Sequence, residues 1–356
     1  MIAKGADERS TSGPAKAQLS VGVIIPVRNE RKRLPVLLES LELQNLRPSE
    51  VVIADGASVD GSREWLEEVA STRPWLRVVD NPAVVIPSAL NLAITACDCD
   101  IVARMDAHAE YEPEYLERIV EFLTEHPEIA GAGGAMETVG DGSWGGAIAA
   151  QLRRPWAMGG ARHRVGGDAG PVDHVFCTAY RRDAVMGAGG WDRHMLANED
   201  AELDYRIRKS AGEIWLVPTA RSTWRTRTSP RALALQMWRY GYFRARTIHL
   251  HPDSFKTRHL APPALVVGLV GLLLLRPSKG IRAAALYLTA AGAVGALSAK
   301  RDGASPWRGG VALPIVHMSW GGGLLAGLIR HWGAQSEPGL STPAHANSRV
   351  DLSSQE

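Results

Sequence analysis

Residues 101–113, "IVARMDAHAEYEP", run an apolar stretch straight into an aspartate and a histidine one residue apart. In an extended backbone the side chains at i and i+2 share a face, so Asp106 and His108 can converge on one point. A carboxylate beside an imidazole is a mixed oxygen and nitrogen donor pair. It suits Mn2+ better than Mg2+, which prefers all-oxygen octahedra. Two protein ligands leave coordination positions open, as a metal bridging a diphosphate requires. Asp and His near a strand end are also ordinary turn residues, so the pair needs support from elsewhere in the chain.

A second constellation is "NEDAELDYRIRKSAGEIWL", residues 198–216. It reads as a helix capped by Asn198, acidic in its first turn, basic in its last and ended by Gly212. Glu202 with Arg206 and Asp204 with Arg208 have the favourable i, i+4 order. The helical period puts Asp200 on one stripe with Leu203, Asp204 and Ile207, the face that should pack against the protein. An aspartate there is aimed at a cleft edge, where it is either a general base for a substrate hydroxyl or a plain capping acid. Glu199 points elsewhere and can orient a substrate hydroxyl. In "QMWRYGYFRAR", residues 236–246, Arg239 can help neutralise a diphosphate. The aromatics and Arg246 of the same stretch suit a membrane interface equally well. "VDHVFCTAY" can contribute to sugar selection through His174, or His174 is structural.

The elements that must position these residues begin at residue 20. "SVGVIIPV", "RLPVLLESLELQ", "EVVIAD", "SREWLEEVAS", "LRVVD", "IPSALNLAITAC" and "DIVARMD" alternate strand and helix. That alternation predicts an α/β fold with a mostly parallel sheet covered by helices. Ligands of such sheets sit beyond the carboxyl ends of the strands, near a switch in strand order. Glu30, Asp55 and Asp106 follow the first, second and fourth strands and therefore lie on one edge. "PVRNE" stands where a dinucleotide-binding GxGxxG would, and there is no P-loop.

Composition narrows the rest. The formal net charge of the 356 residues is +2, with no basic face calling for a nucleic-acid partner. Cys97, Cys99 and Cys177 form no CxxC, which supports neither a disulfide framework nor a zinc ribbon and is consistent with free thiols in a reducing compartment. The N-terminus lacks the apolar core of a signal peptide, and segments 1–19 and 333–356 read as disordered tails. A catalytic domain is expected over 20–255 and membrane-associated helices over 256–332. There the stretches 261–275, 283–299 and 311–329 carry no charge, which predicts two or three membrane segments. Arg239, Arg244, Arg246, Lys256 and Arg258 precede them and place the catalytic domain on the cytoplasmic side of an inner cell membrane.

Taken together and in order, the motifs resemble family 2 glycosyltransferases of GT-A fold. "IIPVRNE" is similar to that family's opening strand and loop, "ADGASVDGS" to its second-strand motif, and "RMDAH" to a variant of its metal-binding DxD. "NEDAELDYR" resembles the ED motif and "QMWRYGYFRAR" the QxxRW motif with a final Tyr; DAH with NEDAELDYR resembles the ExoA-type bacterial enzymes of exopolysaccharide synthesis. The resemblance implies inverting transfer from a nucleotide sugar, UDP-linked, to a lipid-linked glycan. It implies that Pro26, Arg28 and Glu30 line the nucleoside pocket and that Asp55 binds the base. Asp106 and His108 would meet a divalent cation and the diphosphate, Arg239 would stabilise the leaving diphosphate, and Asp200 would deprotonate the acceptor. Polyprenyl-phosphate transfer, a processive synthase and a non-catalytic membrane scaffold are the alternative readings. Departures from the motifs are His108 in place of the second DxD carboxylate, Gly56 in place of an aspartate, and the Tyr of QxxRY, which argues against processivity.

Overall fold

The computed structural model describes residues 19–331; segments 1–18 and 332–356, where the two tails were expected, lie outside the described residues. Nine strands form one sheet: β1 (Val21–Val27), β2 (Glu50–Asp55), β3 (Leu76–Asp80), β4 (Ile101–Arg104), β5 (Ala109–Tyr111), β6 (Gly131–Val139), β7 (Gly170–Val172), β8 (Ala179–Arg181) and β9 (Ile214–Arg225). Their order is β3-β2-β1-β4-β8-β6-β9-β5, with β7 also on β9. β1 to β4 are mutually parallel, as the strand and helix alternation predicts. The far half is mixed: β8 runs antiparallel to β4 and β6, β6 and β9 are parallel, and β5 and β7 run antiparallel to β9. Strand order reverses at β1 and β4, so a crevice opens beyond their carboxyl ends.

The Val and Ile runs of β1 and β2 are continuous because both faces of these strands are covered. Val23, Ile25 and Ile53 point into a cluster shared with α1 (Leu34–Glu42), α2 (Ser62–Ala70) and α4 (Tyr115–Glu125). Ile24 and Val52 point the other way, against α3 (Ile86–Ala96), α8 (Arg182–Gly187) and α9 (Glu199–Ser210). The alternation that fills both cores thereby fixes the register that delivers the strand-end side chains to the crevice.

Past the sheet, α5 (Gly142–Leu152) and the short turns α6 (Pro155–Met158) and α7 (Arg162–Val165) lead from β6 toward β7. After β9, α10 (Pro230–Leu250) starts where the Ser229 side chain accepts from the Ala232 N–H at 3.2 Å and Pro230 fits the first turn. Then come α11 (Ala261–Leu275), α12 (Pro277–Arg301) and α13 (Pro306–His331). Among the described residues three helices, 257–275, α12 and α13, are long and apolar enough to cross a membrane by length and composition. The first reaches that length because a 3-10 turn over Thr257–Leu260 extends it.

The glycines of α13 have a steric reason. A Cβ on Gly323 would lie 2.1 Å from the Trp238 carbonyl oxygen, one on Gly327 2.5 Å from that of Tyr242, and one on Gly241 2.1 Å from that of Trp320. The backbones of α10 and α13 therefore touch, the close approach that small residues permit between apolar helices. At the other end of the bundle Arg153 and Arg154 hold Asp302, at 2.8 and 2.5 Å, and Gln151 donates to the Gly295 carbonyl at 3.0 Å. Gly323→Leu raises intrinsic helix propensity yet should cost about 1–3 kcal/mol by overpacking. Thermal unfolding in detergent measures it, and an unchanged midpoint would mean that the two helices do not meet this way.

Candidate active site

The centre of the site is Arg104, the last residue of β4 and only 4% exposed. Its Nε donates to Asp106 Oδ1 at 3.1 Å and its Nη1 to Glu199 Oε1 at 2.9 Å, while the same Nη1 lies 2.5 Å from Asp200 Oδ2. One guanidinium thus joins the strand-end aspartate to the first two residues of α9, which are distant in sequence. Burial opposes the charge on Arg104, but Asp106, Asp200 and Glu199 together hold its pKa well above the ordinary value. Burial also pushes the Glu199 carboxyl above the usual range, against the pull of Arg104. Three carboxylates facing one guanidinium leave a formal charge of −2 when all are ionised. That is the charge a divalent cation would neutralise.

Asp200 is held from a second side, since Trp191 Nε1 donates to its Oδ1 at 2.8 Å. Trp191 is in turn fixed by Asn91 of α3, whose amide bonds both its backbone N–H, at 2.8 Å, and its carbonyl, at 2.7 Å. One turn along α9, Asp204 accepts from Tyr180 Oη at 2.7 Å and contacts His174 Nδ1 at 2.7 Å. The stripe of Asp200, Leu203, Asp204 and Ile207 is buried, as the helical period requires.

The donor-side loops follow β1 and β2. Asn29 and Ala57 both take left-handed conformations, φ 56° and 54°, and the loops interlock: Asn29 N–H donates to Ser58 Oγ at 2.8 Å and Val59 N–H to Asn29 Oδ1 at 2.9 Å. Glu30 N–H donates to Ser62 Oγ at 2.9 Å. Asp55 is buried; its Oδ2 accepts from Ser58 N–H at 3.1 Å, while its Oδ1 has no partner. An unpartnered buried carboxylate oxygen is costly and is an acceptor poised for a ligand N–H. Pro26 is half-buried and Arg28 exposed on the same edge.

Several details differ from the sequence reading. Asp106 to Ala109 is a turn closed by Ala109 N–H to the Asp106 carbonyl at 3.1 Å, so the extended-backbone reason for pairing Asp106 with His108 does not hold. His108 Nε2 sits 2.9 Å from Glu30 Oε1, and Nδ1 contacts Arg33. Glu199 does not point away from Asp200; both, from the first turn of α9, meet Arg104 at the end of β4. Asn198 does not cap α9 with its side chain: its φ is 59°, and its amide donates to the Tyr240 carbonyl at 2.8 Å. Asp204 does not pair with Arg208, since its docked face binds His174 and Tyr180 while Arg208 reaches Asp173 at 3.6 Å. Arg239 donates to the Leu196 carbonyl at 2.8 Å, beside the start of α9. Sequence reasoning missed Arg104, Arg33 and Trp191. For Arg104 a signal existed, a charge ending the apolar run "IVAR" on the same alternation as Asp106.

Asp106 and His108 keep side-chain exposures of 19% and 42%, and a carboxylate oxygen and an imidazole nitrogen are donor types that fit a divalent cation, provided His108 exchanges its contact with Glu30 or Arg33 for the ion. They would supply two protein ligands, leaving water and a diphosphate to complete the shell.

A mixed, mostly parallel α/β sheet with carboxylates gathered at its switch point is a GT-A-like architecture. The mannosyltransferase PcManGT of Pyrobaculum calidifontis, solved with GDP-Man and Mn2+, superposes with a TM-score of 0.55 over 92% of this chain and 91% of its own, at 18% identity. Residues 22–187 match the family model of glycosyl transferase family 2. The succinoglycan biosynthesis protein ExoA of Rhizobium meliloti (strain 1021) is 33% identical over 259 residues, 71% of this chain and 77% of that protein. The amylovoran biosynthesis glycosyltransferase AmsE of Erwinia amylovora is 29% identical over 195 residues, 52% and 68% of the two chains. The chain belongs to glycosyltransferase family 2 and is of the ExoA type.

Removing Arg104 leaves buried like charges without a counterion. Arg104→Met should therefore cost about 3–5 kcal/mol near neutral pH. Glu199 already has its pKa raised by burial, so it binds its proton more readily folded than unfolded. Acidification through that raised value should therefore return part of the lost stability, relative to wild type. Denaturant unfolding of both proteins across the acid range measures this, and a penalty independent of pH would contradict the electrostatic account.

Proposed function

We propose that the chain is an inverting glycosyltransferase that moves a sugar from a UDP-linked donor to a hydroxyl of a lipid-linked glycan during exopolysaccharide or cell-envelope glycan synthesis. The observation that carries the reading is the Arg104 junction, which puts Asp106 beside Asp200 at the crevice where α/β sheets take nucleotides. Asp55 offers its free Oδ1 to the base, with Pro26, Arg28 and Glu30 lining the nucleoside pocket. The names of the relatives, succinoglycan and amylovoran biosynthesis, support the product class.

A divalent cation held by Asp106 and His108, Mn2+ rather than Mg2+, would supply charge neutralisation to the departing diphosphate. Asp200 takes the proton of the acceptor hydroxyl while its oxygen bonds the anomeric carbon and the nucleotide diphosphate leaves from the opposite face. Arg104 and Trp191 hold that carboxylate in place. Glu199 orients the acceptor, and Arg239 and His174 border the site near α9. The apolar helices and the basic residues ahead of them support an integral protein of a bacterial-type inner membrane with its catalytic domain in the cytoplasm.

The test is release of free nucleotide by purified protein offered a panel of nucleotide sugars and lipid-linked glycans, with and without divalent cation. Asp200→Asn should lower kcat by about 10²–10⁴-fold with donor affinity retained. Asp55→Ala should instead raise KM for the donor. Transfer to bare polyprenyl phosphate, or a polymeric product, would replace the acceptor named here. No turnover of any donor would sink the enzyme reading.

A further inference from the structure

We propose that Cys97, Cys99 and Glu50 form a second metal site, for a thiophilic divalent cation of the Zn2+ class, at the edge of the sheet opposite the active site. One ligand atom from each lies within 4.8 Å of the others. Cys97 is extended, φ −96° and ψ 124°, so the two sulfurs of "CDC" fall on one side of the chain. They converge over β1 at Gly22, where a Cβ would stand 2.2 Å from Cys97 Sγ and 3.1 Å from Cys99 Sγ. Glycine is what leaves the sulfurs their room.

The third ligand is anchored independently. Glu50 opens β2; its Oε2 accepts from Asp98 N–H at 3.2 Å and its Oε1 lies 3.0 Å from Arg77. Two thiolates and a carboxylate around a divalent cation carry a formal −1, which the facing arginines offset: Arg77 on Glu50, and Arg182, whose Nε donates to the Cys97 carbonyl at 2.8 Å. Cys99 also lines a cleft of about 810 Å³ with Ser20, Asp98, Asp100 and Arg182, a route for the ion and for a water as fourth ligand.

Burial pushes the Cys97 thiol up to about 12 and raises Cys99 as well, with Glu50, Asp100 and Arg182 the charged groups facing the pair. Cys97 and Cys99 precede β4, whereas Arg104 ends it. A bound ion would tie the start of β2 to the segment before β4, across β1 that lies between them, and stabilise the fold by linkage.

The full chain, reduced and stripped of metal, is titrated with Cd2+ as the optical probe. A thiolate-to-metal charge-transfer band saturating at one ion per chain, displaced by Zn2+ and accompanied by a rise in Tm, is expected. Cys99→Ser should abolish the band, and Glu50→Gln should weaken binding at least about tenfold. Absence of the band, or its persistence in Cys99→Ser, overturns the site. Should that variant fail to fold, wild-type protein decides. Under mild denaturant Cd2+ must slow alkylation of Cys97 and Cys99 but not of Cys177, and equal labelling of all three with and without the ion overturns it. Neither readout requires sugar transfer, so the result is independent of the reaction assigned to the other edge.

Discussion

One guanidinium at the end of β4 holds the site together. Arg104 is paired with Asp106, Glu199 and Asp200, and without it the first turn of α9 would present two buried carboxylates to a third. Like charges that close repel strongly where water is scarce. The docking of α9 on the sheet therefore depends on that pairing as much as on Leu203 and Ile207, both fully buried. The placement of Asp200 and the docking of α9 share one interaction, and the remaining contacts of Asp200, from Trp191 and through it Asn91, fix its orientation.

The same economy joins the sheet to the apolar helices. α10 is bound to the start of α9 through two carbonyls, Tyr240 by Asn198 and Leu196 by Arg239, and to α13 through backbone contact at glycines. Arg239 and Asn198, which the sequence suggests as a diphosphate contact and a helix cap, hold this joint. Arg239 keeps side-chain donors beyond the one given to Leu196, so holding the loop and meeting an anion are compatible uses of one fork.

Local periodicity made much of the molecule legible. The covered strands show as unbroken Val and Ile runs, the inward stripe of α9 shows at helical spacing, and the strand-end positions of Glu30, Asp55 and Asp106 follow from strand and helix alternation. What was not legible depends on which elements meet. Arg104 finds Glu199 across 95 positions, and nothing local announces it beyond a charge ending an apolar strand. The turn at Asp106, the left-handed Asn198 and the antiparallel arrivals of β8 and β5 are likewise set by tertiary docking. Pairings such as Asp204 with His174 displace the local i, i+4 partner for the same reason.

The rigid joint between α10 and α13 has a geometric consequence. Because backbone meets backbone there, and the Asn198 and Arg239 side chains tie α10 to the start of α9, the separation of Asp200 from the apolar helices is set by the fold. Were the acceptor of the proposed reaction a sugar chain on a lipid headgroup, that separation would work as a ruler: a hydroxyl too near the surface would stay below the crevice, and one too far would overshoot it.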